Sequence, residues 1–418
     1  MVELLSPAGN YEKMMAAFRY GADAVYLAGK TFGMRSAAEN FTDEELRSAV
    51  EYAHSLGKKI YVTVNVLPRT YMYDDLKKYI ETLKDIKADA LIIADVGVFA
   101  LTKEIWPECE IHISTQAGVV SAADANYWYK QGAKRVVLAR ELSLEEIVDM
   151  RRQIPKDLDI ETFVHGSMCV SFSGRCLLSN YLTGRDGNLG ACAQPCRWNY
   201  VITEEKRPET ALPIEETLDG TFIMSSKDMK MLEHVPELVE AGISSFKIEG
   251  RMKSVYYTAV VTNAYRAAID GYQKDGKDYK LDPRWSEELE SVSHREYGTG
   301  YYFDNPMENA QTVKDMGYIR DKAYLGTAVS YDPETGLAGF RQKNKMNAGD
   351  EVEIITPGQF GRRIKVDKIY GENMEEIPST PHVQMLYYVK VPFEVKTQDI
   401  MRGVKSEKRS NSIREKKV

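Results

Sequence analysis

The sequence predicts an α/β protein built on a TIM-type (β/α)8 barrel, followed by a small all-β domain. Eight short apolar runs rich in β-branched residues lie in the first 250 residues, and segments with helical periodicity separate them. Such alternation is typical of βα units around a parallel sheet. Eight units favour a closed barrel over an open doubly wound sheet, and no GxGxxG motif follows the first run.

The eight runs are the expected barrel strands. Helical segments between them begin after residues that cap helix N-termini, such as Thr42 and Ser143, and have acidic first turns. A ninth run, FIMS from Phe222, also has the pattern of a strand, so either it lies outside the barrel or one of the eight does not belong to it. The eight runs are VELLS from Val2, ADAVYLA from Ala22, KIYVTVNV from Lys59, ADALIIAD from Ala88, EIHIST from Glu110, KRVVLAR from Lys134, DIETFVHG from Asp159 and SFKIEG from Ser245.

The pattern of the chain changes after the barrel. We expect the barrel to span 1–255, with a cysteine-rich insertion at about 167–221 that follows the seventh strand. A helical extension is predicted at 256–315. Alternating apolar and polar residues between Gly and Asn turns predict a small β barrel at 316–402. The basic tail at 403–418 is expected to be disordered.

Polar side chains follow the predicted strands at their carboxyl ends, where TIM barrels build their active sites. His165 lies four residues before the first cysteine of the insertion and is expected either to transfer protons or to be a structural histidine. Each polar residue alone is more readily explained as a loop or capping residue than as a catalytic one, so their shared placement is the stronger evidence. The catalytic candidates are His165, Asn65, Gln116 and Glu249.

Four of the five cysteines lie in one short window of the insertion. Unrelated core cysteines would scatter along the chain, so these thiols are expected to converge on a metal or to form disulfides. The remaining cysteine, Cys109, most simply packs as a small apolar residue. The four clustered residues are Cys169, Cys176, Cys192 and Cys196.

The spacing of the four cysteines bears on which metal they would hold. Gaps of six, fifteen and three residues lack the two-residue spacing of most structural zinc sites. Four thiolates satisfy a 4Fe-4S cluster, which tolerates longer gaps because it is larger than a single ion. The spacing therefore favours a 4Fe-4S cluster, with zinc and with free or disulfide-forming thiols as the alternatives.

The N-terminus and the composition favour a cytoplasmic protein with reduced thiols. The N-terminus lacks the layout of a signal peptide, and the longest apolar run is too short to span a membrane. A net charge of −7 argues against nucleic-acid binding driven by the field of the whole protein, because phosphate affinity needs clustered cations. No obligate protein partner is evident from the sequence.

The residues around the cysteines resemble the signature of peptidase family U32, the collagenase-like peptidases. The resemblance is carried by Glu161, Phe163, Gly166, Ser167, Met168, Cys169, Gly174, Cys176, Leu178 and Ser179. Further stretches that resemble this family are SPAG from Ser6, STQ from Ser114, SKD from Ser226 and SHREYGTGYY from Ser293. The resemblance therefore covers nearly the whole chain.

Within this family, the chain is most similar to proteins that hydroxylate the wobble uridine of tRNA to 5-hydroxyuridine. Its length, its single cysteine quartet and its C-terminal β domain carry that similarity. The resemblance implies prephenate as co-substrate and a tRNA anticodon loop as substrate, whose single-stranded bases are already exposed. It also implies a 4Fe-4S cluster held by Cys169, Cys176, Cys192 and Cys196.

Prephenate would need cationic partners in the protein. It carries two carboxylates, and guanidinium groups bind carboxylates in fork-like pairs. Seven arginines near the strand ends or in the insertion are therefore candidates for binding it. They are Arg35, Arg69, Arg140, Arg175, Arg185, Arg197 and Arg251.

The family name supplies a peptidase as the alternative function. The sequence contains no HExxH zinc helix and no GxSxG elbow. Ligation to a cluster would also consume the thiolates that a cysteine peptidase needs, although a dyad of Cys169 and His165 is conceivable. A third alternative is an iron–sulfur hydroxylase that acts on a small aromatic substrate.

Overall fold

The computed structural model divides the chain into two units, each built from two stretches of sequence. The first unit comprises 1–281 and 294–319, and the second comprises 282–293 and 320–418. The structure describes residues 2–35, 38–169, 171–172, 175–198, 226–303, 319 and 322–404.

Eight parallel strands close into a barrel in the first unit. Seven come first in the chain: β1 (Glu3–Pro7), β2 (Ala24–Leu27), β3 (Lys59–Val64), β4 (Ala90–Ile93), β5 (Ile111–Ile113), β6 (Arg135–Val137) and β7 (Asp159–Ser167). The next strand, β8 (Asp228–Lys230), pairs antiparallel with the end of β7 outside the ring. After it, β9 (Ser245–Ile248) pairs in parallel with both β7 and β1 and so completes the ring. The predicted TIM-type barrel is confirmed, and the eight apolar runs supply its strands.

Helices alternate with the barrel strands. Thr42 and Ser143 cap two of them, each through a capping box with the glutamate three residues later. The longest helix carries a run of buried tyrosines and aliphatic residues on the side that packs against β1. The helices are α1 (Tyr11–Arg19), α2 (Asp43–Ser55), α3 (Tyr73–Ile86), α4 (Val96–Ile105), α5 (Ala122–Lys130), α6 (Leu144–Gln153), α7 (Leu178–Thr183), α8 (Val235–Glu240), α9 (Val255–Asp275) and α10 (Pro283–Glu290).

The predicted helical extension at 256–315 is divided between the two units. Its first helix, α9, belongs to the barrel unit, whereas α10 belongs to the second unit. The FIMS run from Phe222 lies outside the described residues, as does the tail beyond Val404. Among the described helices, none combines the length and the apolar character needed to cross a lipid bilayer.

Charged side chains fill part of the barrel interior. Nη1 of Arg135 donates to Glu3 at 2.6 Å and to Glu161 at 3.0 Å, and Nζ of Lys247 donates to Glu161 at 2.6 Å. Burial alone would raise the pKa of Glu161, but Lys247 and Arg135 outweigh it and lower the pKa to about 2. The buried carboxylate is therefore ionised and paired on both sides.

His165 faces α9 rather than the barrel axis. The register between β7 and β9 shifts between Phe163 and His165, and such bulges re-aim side chains. The imidazole ring lies 5.5 Å from the ring of Tyr265 and 5.4 Å from that of Tyr297, between ring centroids. Burial lowers the pKa of His165 to about 3, so the ring is neutral at physiological pH.

The second unit is an eight-stranded antiparallel sheet with α10. Before this sheet, β10 (Tyr297–Gly298) pairs with β8 in the first unit. The strands of the sheet are β11 (Tyr324–Asp332), β12 (Leu337–Gln342), β13 (Glu351–Ile355), β14 (Arg362–Lys365), β15 (Ile369–Tyr370), β16 (Glu376–Ile377), β17 (Leu386–Lys390) and β18 (Ile400–Gly403). Their order across the sheet is β14-β13-β18-β11-β12-β17-β15-β16, and within the described residues the outer strands β14 and β16 do not pair with each other to close a barrel.

A buried arginine joins α10 to the sheet of the second unit. Arg402 on β18 donates from Nη2 to Glu288 of α10 at 2.7 Å and from Nε to Glu353 of β13 at 2.8 Å. Its side chain is only 1% exposed, and both carboxylates are nearly as buried. Two carboxylates thus share one guanidinium away from water.

Replacing Arg402 is expected to destabilise the second unit strongly. The substitution Arg402→Leu leaves the buried carboxylate of Glu288 without its ion-pair partner among the described residues, whereas Glu353 keeps Lys322 at 2.7 Å. Loss of one partner of a buried ion pair costs about 3–5 kcal/mol. Urea denaturation of the full chain measures this loss. Arg363→Leu is the matched control, because Arg363 pairs with Glu353 from an exposed position and should change the free energy of unfolding by less than about 1 kcal/mol. Equal losses in the two variants would contradict the assigned role of Arg402.

The neutral state of His165 predicts a pH dependence of stability. Because its pKa in the folded chain lies below the value of 6.5 in the unfolded chain, the unfolded chain binds more protons as the pH falls below 6.5. Relative to His165→Gln, the wild type should lose about 1.4 kcal/mol of unfolding free energy per pH unit between about pH 6 and pH 4. Denaturation at several pH values measures this slope, and parallel curves for the two proteins would contradict it.

Candidate active site

A cavity opens at the carboxyl ends of the barrel strands, within the first unit. Its walls come from the strand ends and from the segment that follows β7, here called the cysteine segment (168–198). From the barrel side they include Tyr26, Met34, Arg35, Thr63, Asn65, Gln116, Arg140, Phe163, Lys247, Glu249 and Arg251. From the cysteine segment they include Met168, Cys169, Cys176, Gly190, Cys192 and Cys196.

All four clustered cysteines line this cavity, and none of them is in a disulfide. The backbone N–H of Leu178 donates to Sγ of Cys176 at 3.3 Å, and that of Gln194 donates to Sγ of Cys192 at 3.4 Å. Hydrogen bonds of this kind stabilise thiolate charge. Cys109 lies apart from them, and burial raises the pKa of its thiol to about 12, so it packs as an apolar residue.

The cysteines fit the donor set of a 4Fe-4S cluster. Among the described residues, no three His, Cys, Asp or Glu side chains stand in the geometry that holds a metal ion. A 4Fe-4S cubane is larger than one ion, so its ligands stand farther apart, and its sulfurs commonly accept N–H hydrogen bonds. The four thiols on one cavity supply the number of donors that such a cluster needs, and two of them accept N–H hydrogen bonds.

The cysteine segment is anchored on two sides of the barrel mouth. Nε of Arg175 donates to the carbonyl of Gln116 after β5 at 2.7 Å. On the other side, Nη2 of Arg69 lies 3.5 Å from Oδ2 of Asp186. A Cβ on Gly190 would stand 3.0 Å from the carbonyl oxygen of Gly33, and the φ of 89° at Gly190 favours glycine, so a larger residue here would press on the loop after β2.

The loop after β2 is held in an unusual backbone conformation. Arg35 has φ of 72°, a left-handed value that is uncommon for an arginine. The N–H of Met34 donates to Oδ1 of Asn65 at 3.1 Å, and Nδ2 of Asn65 donates to Oε1 of Gln116 at 3.1 Å. The strained loop is thus supported by an amide chain that reaches across the cavity wall.

Glu249 is the buried carboxylate of the cavity. Nη2 of Arg35 lies 3.6 Å from its Oε1, and the hydroxyl of Tyr26 donates to its Oε2 at 3.3 Å. Burial would raise the pKa of Glu249, but the charges of Arg35, Arg140 and Arg251 outweigh it and hold the pKa below its usual value. The carboxylate is therefore ionised and is a weak proton acceptor.

Arg251 carries a buried N–H group that is available to a ligand. The residue is 3% exposed, and within the described residues its Nη1 has no hydrogen-bond partner. Burial lowers its pKa to about 10, so the guanidinium stays charged at neutral pH. A buried charge with an unused donor is costly unless an anion pairs with it.

The barrel side of the cavity has an excess of positive charge. Arg140 donates from Nη1 to the carbonyl of Ser167 at 2.8 Å and stacks over Phe163 at 4.1 Å, which fixes its guanidinium on the wall. Among the described lining residues, Arg35, Arg140 and Arg251 face the single carboxylate of Glu249, while Lys247 is matched by Glu161. The arrangement suits a ligand with more than one negative charge.

The structure brings most of the predicted site residues together. Three catalytic candidates, Asn65, Gln116 and Glu249, line the cavity, and His165 faces α9 instead. Of the predicted arginines, Arg35, Arg140 and Arg251 line the cavity; Arg69, Arg175 and Arg185 are exposed on its rim or on the cysteine segment; the side chain of Arg197 lies outside the described residues. The catalytic and binding roles of these residues stay predictions.

The strand-end pattern misses cavity residues that lie within the strands. Tyr26, Thr63 and Lys247 all point into the cavity from β2, β3 and β9. Side chains in a strand alternate between the two faces, so inward residues one or two positions before the strand end also reach the mouth. Lys247 carried a visible signal, since it is a charged residue in an otherwise apolar run.

Known proteins resemble this chain along nearly its whole length. The tRNA hydroxylation protein P1 of Bacillus subtilis is 37% identical over 96% of this chain and 94% of its own. The tRNA hydroxylation protein P of Escherichia coli is 36% identical over 98% of both chains. A collagenase of Porphyromonas gingivalis is 33% identical over 85% of this chain and 86% of its own.

Two family patterns divide the chain between them. The pattern of Peptidase family U32 matches residues 9–312, and that of the Peptidase family U32 C-terminal domain matches residues 320–402. The first match contains the barrel strands from β2 onward and all four clustered cysteines, and the second contains the antiparallel sheet up to Arg402. The chain belongs to peptidase family U32.

Proposed function

We propose that this protein hydroxylates the wobble uridine of tRNA to 5-hydroxyuridine, with prephenate as co-substrate and a 4Fe-4S cluster held by Cys169, Cys176, Cys192 and Cys196. The observation that carries the proposal is the joint placement of four cysteines and three arginines on one cavity. Two relatives that match over nearly the whole chain are named tRNA hydroxylation proteins, which supports an RNA-modifying enzyme.

The charge of the cavity supports a dicarboxylate co-substrate. Arg251 is buried and has an N–H donor without a partner among the described residues. The charges of Arg35, Arg140 and Arg251 all act on the carboxylate of Glu249. Prephenate has two carboxylates, and both can be paired by guanidinium groups in this arrangement. The single carboxylate of Glu249 would orient the arginines without cancelling their charge.

The amide chain of the cavity supports recognition of a uracil ring. Asn65 and Gln116 place amide groups on the wall, and the edge of uracil carries both donor and acceptor groups that amides can pair with. When bound, the cluster would supply one-electron transfer beside this wall. Glu249, Asn65 and Gln116 would then hold and orient the reactants.

The peptidase alternative rests on the family name and on the relative named collagenase. A Cys–His peptidase needs its imidazole within hydrogen-bond reach of the thiol. His165 instead packs among the tyrosines of α9, and burial lowers its pKa to about 3. That environment favours a structural histidine, and a dyad with Cys169 gains no support from it.

Loss of one clustered cysteine is expected to abolish both the cofactor and the modification. Anaerobically purified wild type should show the broad visible absorbance of an iron–sulfur cluster, and Cys192→Ser should lose it. In cells that lack the native gene, Cys192→Ser should also fail to restore 5-hydroxyuridine derivatives in bulk tRNA, as measured by nucleoside analysis. Cys109→Ser is the matched control and should retain both, because Cys109 is buried away from the cavity.

Each part of the proposal has its own contrary outcome. A colourless wild type that contains zinc would reject the cluster. Unchanged 5-hydroxyuridine derivatives after gene deletion, with no redundant pathway operating, would reject the hydroxylase. If Cys192→Ser instead lost cleavage of a peptide and tRNA modification stayed normal, the peptidase would be favoured.

Arg251→Gln is expected to weaken prephenate binding by about tenfold to a hundredfold, because it removes charge-assisted hydrogen bonds to a carboxylate. Isothermal titration of the purified protein measures the dissociation constant. Arg152→Gln is the matched control, since Arg152 is exposed in the last turn of α6, on the helical layer outside the strands. Equal affinities in the two variants would show that Arg251 does not bind the co-substrate.

A further inference from the structure

Four aromatic side chains stand exposed around the mouth of the cavity. Tyr71 is 81% exposed, Phe172 54%, Tyr181 86% and Trp198 44%. Large rings that stay in water on a functional face commonly mark a binding surface. Three of these four belong to the cysteine segment, and Tyr71 belongs to the loop after β3.

The anchors of the cysteine segment place these rings on both sides of the mouth. A Cβ on Gly118, after β5, would stand 3.8 Å from the ring of Phe172. Across the mouth, the N–H of Leu67 donates to the carbonyl of Asn188 at 3.2 Å, close in sequence to Tyr71. Tyr181 on α7 lies in the chain between these two anchors.

Exposed arginines are interleaved with the rings. Arg69 lies two residues before Tyr71 and its side chain is 63% exposed, while Arg175 and Arg185 are exposed on the cysteine segment. Alternating guanidinium groups and aromatic faces are typical of surfaces that bind single-stranded nucleic acid. The whole chain has a net charge of −7, so a local group of exposed arginines differs from the average surface and is more informative about an anionic partner.

The chemistry of the cavity also calls for such a surface. A base that reacts inside the cavity must leave the stack of its neighbours, and the flanking bases then lose stacking energy. Aromatic rings at the mouth would restore that energy. A protein partner would instead favour a continuous apolar patch with few charges at its centre.

We propose that Tyr71, Phe172, Tyr181 and Trp198 form a stacking surface for the unpaired bases of a single-stranded RNA loop, with the exposed arginines on its phosphates. The inference rests on the proposed function, and it adds the residues that position the RNA. These are positioning residues, since they lie outside the wall that holds the thiols and Glu249.

Binding of a fluorescently labelled RNA hairpin with an unpaired, uridine-containing loop tests this surface, with fluorescence anisotropy of the full chain as the readout. Tyr181→Ala and Trp198→Ala should each weaken binding about tenfold, whereas Tyr181→Phe keeps the ring and should bind as the wild type does. Tyr127→Ala is the matched control, because Tyr127 is 50% exposed on α5 and should leave the affinity unchanged.

Each outcome decides the inference. Unchanged affinity in both alanine variants would overturn it. So would a lower molecular mass of the alanine variants than of the wild type by light scattering, because the rings would then pack against a second copy of the chain. Weaker hairpin binding together with intact visible absorbance would support it. If the alanine variants bind the hairpin more weakly but the wild type does not modify tRNA nucleosides, the stacking surface stands and the hydroxylase is rejected. If the alanine variants bind as the wild type does and the wild type modifies tRNA normally, the stacking surface is rejected and the hydroxylase stands.

Discussion

The pairing of β9 with both β1 and β7 is the constraint on which the rest of the barrel unit depends. It closes the ring and sets the residues after β9 beside those after β2. Glu249 can therefore meet Arg35, although more than two hundred residues separate them in the chain. The chain leaves the ring at the carboxyl end of β7 and re-enters it at β9. The cysteine segment therefore begins at the mouth of the barrel, where it lines the cavity.

The cavity combines charges that would be unstable without a ligand. Burial penalises the ionised groups of the cavity, and among the described residues that line it Glu249 is the one carboxylate that faces the guanidinium groups. The backbone of Arg35 is strained at the same place. Unfavourable electrostatic and conformational energy of this kind is typical of binding sites. An anionic ligand would therefore stabilise the fold while it binds.

Much of the fold and of the candidate site follows from the sequence, and the exceptions have physical causes. Apolar runs located all eight strands, because strands in a buried parallel sheet must be apolar. The strand-end pattern located Asn65 and Gln116 but missed Lys247, which reaches the mouth from within β9. It also drew His165 toward the site, because a register shift in β7 is invisible in the pattern of residues. The division of the helices between the units depends on long-range packing, which local periodicity does not encode.

The late position of β9 in the chain has a consequence for biogenesis. Synthesis from the N-terminus delivers all four thiols to the growing chain before the strand that completes the ring. Until Ile248 has emerged, the wall that contains Glu249 and Arg251 does not exist. Pairing between strands so far apart in the chain forms slowly, so the cavity that the thiols share is completed late in folding.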